Sequence, residues 1–157
     1  MVDAANPDFV PLDGVPPLFI RALLTSEDAN FWGHSGLDLG EVPLAMSINW
    51  VRGQRARGAS TITQQLAKNL YLSSERTVGR KMREAMLALF LEWRYSKEQI
   101  LEAYLNQIFW GRSGAANLIG VGAAARGYFG KPVAELDLAE GALLAAMIRA
   151  PADYSPF

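Results

Sequence analysis

The chain carries a recurring helix-opening signature, at Thr61-x-x-Gln64, Ser96-x-x-Gln99 and Asp137-x-x-Glu140. In such a capping box the first side chain accepts from a backbone amide one turn in. The Gln or Glu three residues later returns a bond to the amide of the cap. Each box precedes apolar residues at helical spacing. After Ser96 the buried stripe is expected to be Ile100, Leu101, Tyr104, Leu105 and Ile108. Pro16-Pro17 suits an earlier helix start, where a missing amide donor does no harm, and Ile20, Leu23 and Leu24 form its stripe. Ser73 or Ser74 is the expected cap of a long helix reaching about Tyr95. Gly111 to Gly114 reads as a loop and is followed by an Ala-rich helix. The last helix is expected over Leu138 to Arg149, stopped by Pro151. No convincing run alternates with the two-residue period of a strand. The expectation is an all-α domain with no sheet beyond two short strands.

At 157 residues, half of them hydrophobic, the chain suits one domain with a real core. It has no cysteine, which excludes a disulfide scaffold and thiolate metal sites. It shows no signal peptide and no apolar run long enough to cross a bilayer. The net charge of −1 predicts no strong bulk attraction and gives no support for a nucleic-acid partner. The distribution is more telling. Residues 52 to 94 hold nine basic groups (Arg52, Arg55, Arg57, Lys68, Arg76, Arg80, Lys81, Arg83, Arg94) against Glu75, Glu84 and Glu92. That local surplus of six positive charges points to an anionic ligand or an anionic membrane surface.

Several residues suit chemistry. Gly58 permits close backbone approach, and the helix after Thr61 is expected to show Gln64, Gln65 and Lys68 outward, with free amides at its start as an anion site. The same residues also suit an ordinary capped surface helix. Glu27 continues the stripe of Ile20, Leu23 and Leu24. A carboxylate there is costly unless it is paired or raised in pKa, and a raised carboxylate is what a general base needs. Alternatively it turns outward at a frayed helix end. Asp28 suits a structural, loop-capping acceptor. His34, the only histidine, sits in a Gly-rich loop, where a hydrogen-bonding strut is the commoner role. Glu84 has Arg80 four residues before it, with Lys81 and Arg83 close by. A solvated ion-pair helix would explain the pairing but not the cationic surplus, which fits a pyrophosphate. P-loop, HExxH and GxSxG patterns are absent, so nucleotide hydrolysis, zinc proteolysis and serine-ester chemistry have no support.

Five runs then stand in order: Glu27-Asp28-x-x-Phe31-x-x-His34-x-Gly36-x-Asp38; Gly58-Ala59-Ser60-Thr61-Ile62-Thr63-Gln64-Gln65; Arg80-Lys81-x-x-Glu84; Ile100-Leu101-Glu102-x-Tyr104-Leu105-Asn106; and Arg149-x-Pro151-x-x-Tyr154-x-Pro156. Together they resemble the motifs of the family 51 glycosyltransferases, the peptidoglycan glycosyltransferase domains of class A penicillin-binding proteins and monofunctional transglycosylases. The resemblance covers residues 27 to 156. It implies a lysozyme-like helical fold over residues 1 to 157, with a smaller membrane-facing jaw. It implies polymerisation of lipid II into β-1,4 glycan strands, with inversion and release of undecaprenyl diphosphate. By resemblance Glu27 is the base for the acceptor 4-hydroxyl, and Glu84 is the second glutamate, near the donor diphosphate. Lys68, Arg76 and Arg83 match cations that hold the diphosphate. Ser60, Gln64 and Gln65 match residues lining the cleft. Arg80, Lys81 and Asn106 belong to the same motifs and join the substrate-binding candidates.

The resemblance requires no cofactor, though Glu84 leaves room for a divalent cation, Mg or Mn, on the diphosphate. Its expected partners are lipid II, the nascent strand, the membrane surface and proteins of cell-wall synthesis. The expected location is the outer face of the bacterial cytoplasmic membrane. The family's usual membrane anchor has no counterpart here, as expected of an excised or naturally soluble version, and no Ser-x-x-Lys pattern supports penicillin binding.

About residues 40 to 58, Val42, Leu44, Met46, Ile48, Trp50 and Val51 precede Arg52, Arg55 and Arg57. An apolar patch with a basic rim is the composition of an interfacial segment, so this stretch is the expected jaw, although a core helix is also consistent. Two other functions compete. A lysozyme-like hydrolase would need an acid and a base but has no use for a diphosphate-binding face. A non-catalytic lipid II or glycan-binding module would have no need of both Glu27 and Glu84.

Overall fold

A computed structural model of the chain describes residues 6–40, 60–72, 77–113 and 116–148. Its main helices are α1 (Pro17–Glu27), α2 (Ile62–Tyr71), α3 (Val78–Arg94), α4 (Lys97–Gln107), α5 (Val121–Phe129) and α6 (Leu138–Met147). Between α4 and α5 lie two short strands, β1 (Phe109–Ser113) and β2 (Ala116–Ile119). The chain is all-α in class, as expected.

The capping chemistry fixes the helix starts. All three capping boxes form with both bonds, opening α2, α4 and α6. Pro17 is the first residue of α1. The long helix α3 starts later than expected: Thr77 caps it through a bond from the Arg80 amide, whereas Ser73 and Ser74 lie outside the described residues. Helix α6 ends at Met147, short of Arg149, which with Pro151 and the rest of the last motif also lies outside them.

The expected loop at Gly111 is instead a strand. β1 and β2 pair antiparallel, with a register irregularity between Phe109 and Gly111, where φ is +122°. That irregularity breaks the two-residue alternation, and Gly and Ser in so short a run carry little β signal. The sheet nevertheless has only two short strands, within the expected limit.

Helix α4 lies at the centre. Its stripe of Ile100, Leu101, Tyr104, Leu105 and Ile108 is buried as the spacing required. Helix α2 packs on both α3 and α4, and α1 packs on α6. Phe19, Leu23, Phe31, Ile62, Trp110 and Leu144 fill the same core. At one point backbone meets backbone. Gly36 has φ of +91°, and a Cβ there would lie 2.9 Å from the carbonyl oxygen of Ala88 in α3. Its own carbonyl accepts from the Thr61 hydroxyl at 2.7 Å, so only glycine lets this loop reach both helices.

The apolar segment expected to form the jaw, with Trp50 and Arg52, Arg55 and Arg57, lies outside the described residues. Among the described ones, the large exposed apolar side chains concentrate on α3. Val78, Met82, Met86, Leu89, Phe90 and Trp93 recur at spacings of three and four, and Trp93 is 79% exposed. No described helix is long and apolar enough to cross a membrane.

Candidate active site

Helix α1 ends on two adjacent carboxylates with different surroundings. Asp28 is buried. Its Oδ2 accepts from the Ile62 amide at 2.9 Å, and His34 Nε2 lies 2.9 Å from Oδ1 and 3.0 Å from Oδ2. The Gly36 amide donates to His34 Nδ1 at 3.1 Å, so the imidazole proton sits on Nε2 and is given to Asp28. Asp28 is therefore the structural acceptor anticipated and His34 the strut. This arrangement corrects one expectation. The start of α2 is not an open anion site, because three of its amides are bonded internally. Ile62 N donates to Asp28, Thr61 N to Gln64 Oε1 at 3.0 Å and Gln64 N to the Thr61 hydroxyl at 3.2 Å. For the same reason Gln64 is buried and not on the outward face.

Glu27 is half-buried. The cost of placing it on an apolar face is met by pairing: Gln65 Nε2 donates to Glu27 Oε2 at 3.2 Å, and the Ser26 hydroxyl lies 3.4 Å from Oε1. The same Gln65 amide nitrogen is 3.4 Å from the Ser60 carbonyl oxygen. The Ser60 hydroxyl accepts from Lys81 Nζ at 2.7 Å, and Lys81 also pairs with Glu84 Oε1. Arg80 Nη1 donates to Glu84 Oε2 at 2.7 Å. A continuous thread thus runs from Glu27 through Gln65, Ser60 and Lys81 to Glu84. It joins residues that are 57 positions apart in sequence. Glu84 is only 2% exposed, so its pairs are not the solvated surface pairs of an ordinary amphipathic helix.

A family model described as Transglycosylase matches residues 1–157. The chain belongs to the transglycosylase family. It is 51% identical over 149 residues to penicillin-binding protein 1A of Aquifex aeolicus, covering 95% of this chain and 20% of that protein. It is 45% identical over 159 residues to penicillin-binding protein 1B of Vibrio cholerae, covering 99% of this chain and 20% of the relative. With penicillin-binding protein 1B of Escherichia coli it shares 45% over 149 residues, 95% of this chain and 18% of that one. The chain thus spans about a fifth of the length of these relatives. Membership makes it an enzyme domain of the peptidoglycan glycosyltransferase class.

The remaining candidates of the transglycosylase domain divide into two groups. Lys68 and Arg83 are exposed, and neither has a hydrogen-bond or ion-pair partner among the described residues. Arg76 lies outside them. Asn106, by contrast, is buried and its amide serves the fold. Oδ1 accepts from Val10 N at 2.8 Å, and Nδ2 donates to the carbonyls of Val10 at 2.8 Å and Glu102 at 2.9 Å. Glu102 Oε2 meanwhile accepts from Leu12 N at 2.9 Å. These two polar residues of α4 clasp the N-terminal segment. A hollow of about 210 Å³ between α2, α3 and α4, lined by Leu66, Leu70, Tyr71 and Leu91, is reached by none of the candidate site residues.

Sequence reasoning placed Tyr104 in the core stripe and in the fourth motif but gave it no role at the site. Its hydroxyl donates to Gln65 Oε1 at 3.0 Å. The available signal was a phenol, rather than a phenylalanine, at a fully buried position.

Asp28 carries two buried donors, and removing its carboxylate orphans both. Asp28→Ala should cost about 3–5 kcal/mol in urea unfolding, and Asp28→Asn, which keeps one acceptor oxygen, roughly half that. A loss below about 1 kcal/mol for the alanine variant would contradict the role of this carboxylate.

Proposed function

We propose that this domain polymerises lipid II into β-1,4 glycan strands by a single inverting displacement, with Glu27 as the general base. The observation that carries the reading is the hydrogen-bonded thread from Glu27 to Glu84, together with Lys68 and Arg83, exposed and without a partner among the described residues. The acceptor 4-hydroxyl gives its proton to Glu27 as its oxygen attacks the donor anomeric carbon. The bond to the diphosphate breaks on the opposite face. A diphosphate leaves as a stable anion, so no strong acid is needed. What is needed is one base at the nucleophile and fixed cations where leaving-group charge develops.

Lys68 and Arg83 supply those cations, with Arg76 as the third by family resemblance. Glu84 is a fixed anion that orients Arg80 and Lys81. Both of its oxygens already meet a cationic donor, so a divalent cation held by Glu84 on the diphosphate would have to displace Arg80 or Lys81. The same pairing argues against glycan hydrolysis, which needs a carboxylic acid facing the leaving oxygen. Glu27→Gln should lose roughly 10²–10⁴-fold in polymerisation of lipid II while keeping its melting temperature. Near-normal turnover by that variant would reject the base assignment.

A substrate with a polyprenyl tail holds its enzyme at a bilayer, and we place the domain on the outer face of the cytoplasmic membrane. The exposed stripe of Val78, Met82, Met86, Phe90 and Trp93, beside exposed Arg83 and Arg94, has the composition of an interfacial helix. Met86→Glu with Phe90→Glu should weaken binding to anionic liposomes by ~10-fold or more, since each large apolar side chain withdrawn from water contributes about 1.5–3 kcal/mol. Unchanged partitioning would remove α3 from the membrane face.

A further inference from the structure

We infer that Tyr104 is a positioning residue for the reaction, acting through Gln65 to hold Glu27 in its working geometry. This rests on the reading of Glu27 as the base. Three helices meet here through three side chains. The Tyr104 hydroxyl of α4 donates to Gln65 Oε1 of α2 at 3.0 Å, and Gln65 Nε2 donates to Glu27 Oε2 at the end of α1 at 3.2 Å.

The orientation of the Gln65 amide decides what Glu27 faces. With its carbonyl held by the phenol, its NH2 group must turn toward Glu27 and the Ser60 carbonyl. The flipped amide would set a carbonyl oxygen against a carboxylate. A protonated phenol can accept as well as donate, so the direction is set at the other end of the amide, where the Glu27 carboxylate takes the NH2 group and leaves the Gln65 carbonyl for the phenol. Burial, then the charges of Glu27 and Asp28, raise its pKa well above the ordinary phenol value. Across any working pH it therefore has a proton to give, and the Gln65 carbonyl is its hydrogen-bonded acceptor.

Packing alone does not explain the hydroxyl. The ring is fully buried on the core face of α4 beside Leu101 and Leu105, where a phenylalanine would fill the same space without a polar atom to satisfy. The benefit of the oxygen is the order it imposes on Gln65. An amide fixed at one end presents its donor to Glu27 without reorganisation when the acceptor sugar arrives.

The test is the pH dependence of lipid II polymerisation by Tyr104→Phe, by Gln65→Leu and by the double variant, with a thermal melt of each. Loss of a donor to an ionised carboxylate moves the acid limb of kcat/KM to higher pH. Tyr104→Phe should show that shift, with kcat lower by roughly 10-fold and KM within about twofold. In the Gln65→Leu background, Tyr104→Phe should cost nothing further, because the relay is already cut. An unmoved acid limb with wild-type kcat in folded Tyr104→Phe would overturn the inference, as would an equal additional loss in the Gln65→Leu background. Gln65→Leu leaves the Tyr104 ring in place and must by itself move the acid limb. If it does not, the relay is wrong even where Tyr104→Phe fails to fold. Glu27→Gln keeps the two claims apart. An active Glu27→Gln variant defeats the base reading, whereas an inactive one beside an unaltered Tyr104→Phe defeats only the relay.

Discussion

The Asp28 carboxylate is the constraint on which the site depends. It is buried at the end of α1, bonded to the first amide of α2 and to His34 of the intervening loop. A buried carboxylate is tolerable only with such donors, and the donors come from segments 6 and 34 positions away. Satisfying Asp28 therefore fixes where α1 ends relative to where α2 begins. That fixes Glu27, its neighbour in sequence, opposite Gln65 on the first turn of α2. Gly36 closes the same arrangement from the loop, bonded through its amide to His34 and through its carbonyl to Thr61.

Within the four motifs that the described residues cover, labour is divided between residues that build the site and residues left for the proposed reaction. In the first run Asp28, Phe31, His34 and Gly36 are internal struts, and Glu27 is the proposed base. In the second, Thr61 and Gln64 close a capping box while Gln65 reaches Glu27. In the third, Arg80 and Lys81 bracket the buried Glu84 and Arg83 turns outward. In the fourth, Glu102 and Asn106 hold the N-terminal segment, and Tyr104 reaches the site from the core. The thread connecting the two glutamates crosses three of these runs. That is a physical reason for them to occur together in one chain.

Much of the fold was legible in the sequence because helix starts are local events. A capping box needs four residues, and all three boxes formed. The stripe from Ile100 to Ile108 was legible because 3.6-residue periodicity reports one buried face. The hairpin was not, because a bulge beside Gly111 erases its alternation. Within the site, Glu27 stood out as a charge on an apolar stripe, and its family match agreed. The internal use of the α2 amides did not, since it depends on Asp28 arriving from 34 residues away. Tyr104 was hidden for the opposite reason: its ring satisfied the core pattern so well that its hydroxyl attracted no notice.

The central claim is a two-ended site, with the proposed base hydrogen-bonded at one end and, at the other, cations that have no partner among the described residues. A structure of the domain bound to a phosphoglycolipid inhibitor of the moenomycin type, which mimics the donor, tests it most directly. The account predicts the phosphate within hydrogen-bond reach of Lys68 or Arg83, about 2.7–2.9 Å, with the Glu27–Gln65 bond intact and facing away from the phosphate. A phosphate seated against Glu27 and Gln65, or one that leaves both Lys68 and Arg83 untouched, would contradict it.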